Sequence, residues 1–262
     1  MSILEVRPGL FAGYRLRGAG PPLLCVPGGP GRASAYLDDL GGLAATRTLI
    51  LVDLPGTGSA PPPEEVDGYE LPALAESVQA IVAHLGMVTV DLLGHSAGAL
   101  TAALWAAGNP DRLSHLVLLT PGGRNQLGLT YDDAEAVRMS RRAEPWYDEA
   151  IRTDDWTPFF YGRWDEGARA HAAGEADQRS MAATHGFGLG SLTAADVTAG
   201  LSHVDVPALV VGGSRDPLGT SVCRQWAAFL PHADVVILDG VGHYPWVDDP
   251  AAVRATLDRF LS

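Results

Sequence analysis

The stretch Val90-Asp91-Leu92-Leu93-Gly94-His95-Ser96-Ala97-Gly98-Ala99-Leu100-Thr101-Ala102-Ala103-Leu104-Trp105 decides how this chain is read. An apolar run enters Gly-x-Ser-x-Gly and leaves directly into an alanine-rich run, which is a strand, a sharp turn and a helix. Glycines at 94 and 98 remove the Cβ atoms that would clash in so tight a reversal. Ser96 is then lifted above the sheet edge, at a helix N-terminus whose free N–H groups favour a developing oxyanion. A serine that merely caps the helix would leave the second glycine without a purpose.

Outward from this turn, short apolar runs alternate with a helical pattern. Leu23 to Val26, Thr48 to Val52, Val88 to Leu93 and Leu116 to Leu119 read as buried parallel strands. Leu74, Val78, Ile81, Val82 and Leu85 form one stripe of a helix over Leu71 to Leu85, with Pro72 in its first turn and Gly86 closing it. Strands at Ala208 to Val211 and Val235 to Leu238 follow, with helices around Ser221 to Leu230 and Pro250 to Leu261. This alternation predicts an α/β fold with a mostly parallel central sheet and helices on both faces. Residues 124–203 break the pattern into short helical pieces. Of six Trp, seven Tyr and six Phe residues, seven fall within residues 145–164. The expected organisation is therefore a core at 1–123 and 204–262, with a helical cap at 124–203 packed over the sheet by its aromatics.

A serine hydroxyl needs a base, and the base needs an acid to orient it. In this strand–turn–helix context the order along the chain is serine, acid, histidine. The strand at Ala208 ends in Gly212-Gly213-Ser214-Arg215-Asp216-Pro217, and the strand at Val235 ends in Asp239-Gly240-Val241-Gly242-His243-Tyr244-Pro245. Asp216 and His243 thus fall on the same sheet edge as Ser96, where open α/β sheets place ligands. No acid follows Leu116 to Leu119. Among the other histidines, His95 is inside the turn, His84 and His232 lie on predicted helix ends, and His171 and His185 lie in the middle segment. Val26-Pro27-Gly28-Gly29-Pro30-Gly31 follows the first parallel strand and offers the Gly29 amide as partner to that of Ala97 in an oxyanion hole.

Composition narrows the chemistry. The 262 residues are 47% hydrophobic and 19% charged, enough for a sizeable core, and the net charge of −13 argues against nucleic acid or an anionic membrane as partner. All basic side chains are Arg. Without Lys there is no Schiff base, pyridoxal-phosphate attachment or P-loop lysine. Cys25 and Cys223 lack zinc or redox spacing. No metal or organic cofactor is implied, and no signal peptide or membrane-spanning run appears, so the expectation is a cytoplasmic enzyme acting on a small molecule.

With these residues in view, the chain resembles an α/β-hydrolase over essentially its whole length. Pro27-Gly28-Gly29-Pro30-Gly31 resembles the His-Gly-Gly-Pro-Gly loop of the proline iminopeptidase-like branch. Asp53-Leu54-Pro55-Gly56-Thr57-Gly58-Ser59 is similar to an Asp-x-x-Gly-x-Gly-x-Ser turn of many relatives, and Gly242-His243-Tyr244-Pro245 with Asp249-Pro250 resembles the catalytic-histidine segment. The resemblance implies a Ser96–Asp216–His243 triad with the Gly29 and Ala97 amides holding the oxyanion. Two departures stand out: Pro27 replaces a histidine able to brace the loop, and Gly-His-Ser-Ala-Gly replaces the iminopeptidases' usual Gly-Gly-Ser-Trp-Gly, widening the site. The expected activity is acyl transfer from a small to medium hydrophobic ester or amide. Trp146, Trp156, Phe159, Phe160, Tyr161 and Trp164 are expected to line its pocket or bind cap to core. An aminopeptidase remains open, with Glu144, Asp148, Glu149, Asp154, Asp155, Asp165 and Glu166 available for an ammonium. So do carbon–carbon bond hydrolysis or cyclisation on the same triad, and a non-catalytic receptor.

Overall fold

The apolar runs become strands of one eight-stranded sheet. A computed structural model describes residues 1–262. Its strands are β1 (Ser2–Arg7), β2 (Leu10–Arg17), β3 (Pro22–Val26), β4 (Thr48–Asp53), β5 (Val90–His95), β6 (Leu113–Leu119), β7 (Ala208–Gly213) and β8 (Ala233–Leu238). They lie in the order β1-β2-β4-β3-β5-β6-β7-β8. Neighbours are parallel from β4 to β8, whereas β1 and β2 join antiparallel. The period of two sorts the side chains: Leu24, Leu92, Leu116 and Val210 enter one core, and Cys25, Leu93, Val117 and Val211 the other. The two antiparallel strands extend the expected architecture. β1 is the edge, with Leu4 and Val6 half-buried and Ile3 exposed, while β2 buries Leu10, Ala12 and Tyr14 between β1 and β4.

Two helices, α1 (Leu71–His84) and α2 (Gly98–Gly108), pack together on one face. Leu74, Val78, Ile81 and Val82 are buried as the stripe requires, Pro72 lies in the first turn, and Gly86 follows the end at φ +64°. Between β6 and β7 come α3 (Arg124–Leu127), α4 (Ala134–Ser140), α5 (Tyr147–Thr153), α6 (Glu166–Ala173), α7 (Glu175–Gln178), α8 (Met181–Gly186) and α9 (Ala194–Leu201), with no named strand among them. The chain ends through α10 (Ser221–Ala227), α11 (Pro245–Asp248) and α12 (Pro250–Phe260). No helix is long and apolar enough to cross a membrane. Both cysteines are free and buried. Burial pushes the Cys223 thiol up to about 12, and the Cys25 thiol up as well, so neither is a thiolate at neutral pH.

The turn after β4 is fastened by Asp53. Its buried carboxylate accepts the amide and hydroxyl of Ser34, at 3.0 and 2.7 Å, on one oxygen. The other oxygen accepts the amide and hydroxyl of Ser59, both at 3.0 Å. This carboxylate ties the chain just after the Gly28–Gly31 loop to the 54–59 turn. Asp53→Ala strands these donors and should cost about 3 kcal/mol, lowering the melting temperature by roughly 6–12 °C. An unchanged melting curve would show that the four bonds contribute nothing net.

Candidate active site

Parallel strands deliver their carboxyl ends to one edge, and the loops after β3, β5, β7 and β8 converge there. At the β5–α2 turn Ser96 adopts φ +53°, a conformation that costs a non-glycine residue about 1–2 kcal/mol. The flanking glycines make it possible. A Cβ on Gly94 would stand 2.6 Å from the Gly98 carbonyl oxygen, and one on Gly98 2.4 Å from that of Pro27. The bend also takes backbone bonds, from the Ser96 amide to the Leu119 carbonyl at 3.0 Å and from the Ala99 amide to the Ser96 carbonyl at 3.1 Å.

Ser96, Asp216 and His243 come together. The Ser96 hydroxyl lies 2.9 Å from His243 Nε2, and His243 Nδ1 lies 2.8 Å from Asp216 Oδ2. A carboxylate only accepts, so Nδ1 carries the proton and Nε2 is free to accept from the serine. Asp216 Oδ1 accepts the Leu218 amide at 2.9 Å. Asp216 and His243 are 3% and 4% exposed, while Ser96 is only half-buried and open to a ligand. The histidine is clasped from several sides. Its amide donates to the Phe160 carbonyl at 2.7 Å, its carbonyl accepts from Thr120 Oγ1 at 2.9 Å, and the Phe160 ring meets it edge-on at 5.3 Å.

The amides of Gly29 and Ala97 donate to no protein acceptor, and both residues line the cavity over Ser96. The loop carrying Gly29 is held from outside, with Pro27 in the position of the family's histidine. Arg179 Nη1 donates to the Gly29 and Pro30 carbonyls at 3.2 and 3.0 Å, and Thr184 Oγ1 to that of Pro30 at 2.8 Å. Arg179 is itself paired with Glu175 at 2.5 Å. A brace from the segment between β6 and β7 thus holds this loop, and the sequence holds no local signal for it.

The cavity encloses about 790 Å3 and its lining is mixed rather than apolar. Of the six aromatics expected there, Trp156, Phe160 and Tyr161 line it. Trp146 and Phe159 do not; they pack edge-on at 4.9 Å with Tyr147 in a separate cluster, and Arg141 lies 4.9 Å over Trp146. Trp164 stacks on Tyr161 outside the cavity. Aromatics two or three residues apart in short helices point in different directions, which composition alone does not reveal. Tyr131, Phe187, Leu100 and Leu218 supply apolar wall that the aromatic count overlooked.

Of the seven acids available to an ammonium, only Asp154 and Asp155 reach the cavity. Both are exposed, Asp154 accepting from Trp156 Nε1 at 2.7 Å and Asp155 from the Thr157 amide at 3.0 Å. Glu144 pairs with Arg141 and Arg215, and Glu149 with Arg152. Asp165 caps α6 through the Ala168 amide, and Asp148 and Glu166 are exposed.

Two further acids position the loops. Asp248 accepts the amides of Gly242 and Gly162, each at 2.8 Å, fastening the His243 loop to the helical segment. Burial pushes its carboxyl above the usual range, against the pull of those amides. Asp133 accepts the amides and hydroxyls of Thr220 and Ser221 at 2.6–3.1 Å, holding the chain just after Asp216.

Residues 21–250 match the model for the alpha/beta hydrolase fold, and the chain belongs to that family of enzymes. A proline iminopeptidase of Levilactobacillus brevis is 25% identical over 94% of this chain and 90% of its own length. A pimeloyl-[acyl-carrier protein] methyl ester esterase of Aeromonas hydrophila is 28% identical over 93% and 96%. Among solved structures, an esterase from a Rhodococcus species superposes with a TM-score of 0.75 at 26% identity, covering 100% of this chain and 98% of that one.

Asp133 makes stability depend on pH. Partial burial raises its carboxyl, but the four hydrogen bonds outweigh this and hold it well below its ordinary value of 3.8. Its contribution to stability is therefore complete above that ordinary value and fades as pH falls toward the depressed one. Asp133→Ala should cost about 1–2 kcal/mol at neutral pH, and the gap to wild type should close as denaturant melts are repeated toward about pH 2. A gap independent of pH would remove the carboxylate from this role.

Proposed function

We propose that the protein is a serine hydrolase in which Ser96 is the nucleophile, His243 the general base and acid, and Asp216 the group that orients His243. The observation that carries this is the pair of hydrogen bonds, 2.9 and 2.8 Å, linking the three side chains beneath two unoccupied backbone donors. Ser96 Oγ attacks the substrate's acyl carbon as its proton passes to His243 Nε2, and the negative oxygen is taken by the Gly29 and Ala97 amides. Asp216 stabilises the imidazolium, which returns the proton to the leaving alcohol or amine. Water, deprotonated by His243, then releases the acid from Ser96.

Residues 124–203 act in this reading as a cap supplying the upper wall of the cavity. The substrate is a small to medium carboxylic ester or amide whose apolar part lies against Phe160, Trp156 and Leu218. Esterases among the similar proteins support it. A second reading, an aminopeptidase, is favoured by the iminopeptidase relatives and by Asp154 and Asp155 at the cavity wall. Against it, Glu175 is already neutralised by Arg179, with Arg32 3.6 Å away.

Ser96→Ala should lower turnover of acyl esters by about four to six orders of magnitude without moving the melting temperature by more than a few degrees, and Asp216→Asn by about four through the wrong histidine tautomer. Retained turnover in a folded Ser96→Ala protein rejects the nucleophile. Chromogenic acyl esters should be hydrolysed, and aminoacyl-arylamides no better than their N-acetylated forms. Cleavage abolished by acetylation selects the aminopeptidase instead.

A further inference from the structure

We infer that Tyr36 and His95 are positioning residues of this site: a buried hydrogen-bond chain from the Gly28 amide through the Tyr36 hydroxyl and the His95 ring to the His243 carbonyl fixes the oxyanion loop and the base relative to one another. The inference rests on the serine-hydrolase reading above. Tyr36 follows β3 and the glycine loop, in a short 3-10 turn at Ser34–Leu37, and His95 ends β5 beside Ser96. They are 3% and 1% exposed.

The chain has one consistent proton order. The Gly28 amide can only donate, and it lies 2.7 Å from the Tyr36 hydroxyl oxygen. The tyrosine's single proton is thereby free for His95 Nδ1, also 2.7 Å away. At the far end the His243 carbonyl can only accept, 3.0 Å from His95 Nε2, so that nitrogen carries the ring proton. A neutral imidazole satisfies every partner. A protonated one would aim a second donor at the Tyr36 oxygen and leave the phenol proton unplaced.

The surroundings favour the neutral ring. His243 packs on His95 at 5.0 Å, Trp246 at 4.9 Å, Tyr36 at 5.5 Å and Tyr244 at 5.6 Å. The Arg32 guanidinium stands 4.4 Å over the Tyr36 ring, whose edge His171 also approaches. Burial first, then the charges that His243, Arg32 and His171 can carry, hold His95 well below the ordinary histidine value, although the His243 carbonyl pulls the other way. A second positive ring would repel the imidazolium that forms at His243, so a permanently neutral His95 can lie against the base without opposing it.

Both ends of the chain touch the reaction. The Gly28 carbonyl accepts the Arg32 amide at 3.2 Å, so the peptide that presents the Gly29 N–H is held through Gly28 on both sides. The Tyr36 carbonyl accepts from Trp246 Nε1 at 3.3 Å and faces His171 Nε2 at 3.1 Å, keeping the tyrosine itself from swinging. Ser96 lies between the two groups that the chain joins.

Labelling of Ser96 by a fluorophosphonate probe tests this, because it needs the base and the oxyanion hole but no natural substrate. Tyr36→Phe should slow the second-order labelling rate about 10- to 100-fold, and His95→Leu likewise. His95→Gln, whose amide can accept from Tyr36 and donate to the His243 carbonyl, should recover most of that loss. With an ester substrate kcat should carry the effect and KM should stay within about threefold. In the wild-type enzyme, nitrogen-15 NMR should show His95 as the neutral Nε2–H tautomer, without titration between about pH 5 and 8. A folded Tyr36→Phe or His95→Leu protein labelled at the wild-type rate overturns the proposal, as does an Nδ1–H tautomer or a midpoint near the ordinary histidine value. Should the variants not fold, the wild-type spectrum decides alone. A wild-type enzyme that resists the probe at Ser96 refutes the serine-hydrolase reading instead, whatever the tautomer.

Discussion

The left-handed backbone of Ser96 is the constraint on which the rest of the site depends. At φ +53° the chain stores about 1–2 kcal/mol that must be met elsewhere. The Ser96 amide reaches across to β6, and the glycines on either side let α2 and the Pro27 carbonyl approach closely. The bend aims the hydroxyl out of the sheet while placing the next amide, that of Ala97, beside the loop after β3. One strained residue thus sets both the proposed nucleophile and one of the two proposed oxyanion donors. Relaxing it to an ordinary helical or extended conformation would move both together.

Holding the partners to that residue falls to a set of carboxylates outside the proposed triad. Asp53 ties the region after the glycine loop to the turn after β4, Asp248 ties the His243 loop to Gly162, and Asp133, at the start of α4, holds the chain after Asp216 where α10 begins. Each accepts several N–H or O–H donors at once, which a neutral side chain of similar size cannot do. Loops on a sheet edge have few internal bonds, so such anchors supply the rigidity that strands supply to the core. This is why acidic residues recur around a site whose proposed mechanism uses one.

The parts legible beforehand were those whose signal is local. A strand, a glycine-flanked serine and an alanine-rich helix are contiguous, and Asp216 and His243 each follow an apolar strand within a few residues. What escaped depends on distant pairing. Arg179 braces the Gly29 loop across about 150 residues of chain, and nothing near position 179 marks it for that role. Tyr36 resembles an ordinary apolar-surface tyrosine until its hydroxyl is seen between Gly28 and His95. The aromatic cluster at 145–164 was visible as composition, yet composition does not say which rings face inward, and Trp146, Phe159 and Trp164 turned to packing. The first two strands carry little signal in the sequence, because β1 is an edge with one half-buried face and β2 mixes Gly13, Arg15 and Arg17 among its apolar residues.

The charge around the cavity follows a different rule from that of the whole chain. A net charge of −13 describes a surface, whereas the cavity gathers Arg32, Arg124 and Arg179 against Asp154, Asp155 and Glu175. Their formal charges cancel, and Glu175 is further compensated by contact with two arginines. A positively charged substrate therefore finds no buried, unpaired carboxylate in the cavity, and an anionic one is not repelled at the site as the bulk charge would suggest. Screening shortens the reach of the outer acids to about 8–10 Å at physiological salt, so the local balance decides. Selectivity in such a site must come from shape and hydrogen bonding, which places it with Trp156, Phe160 and the polar side chains beside them rather than with the field of the protein.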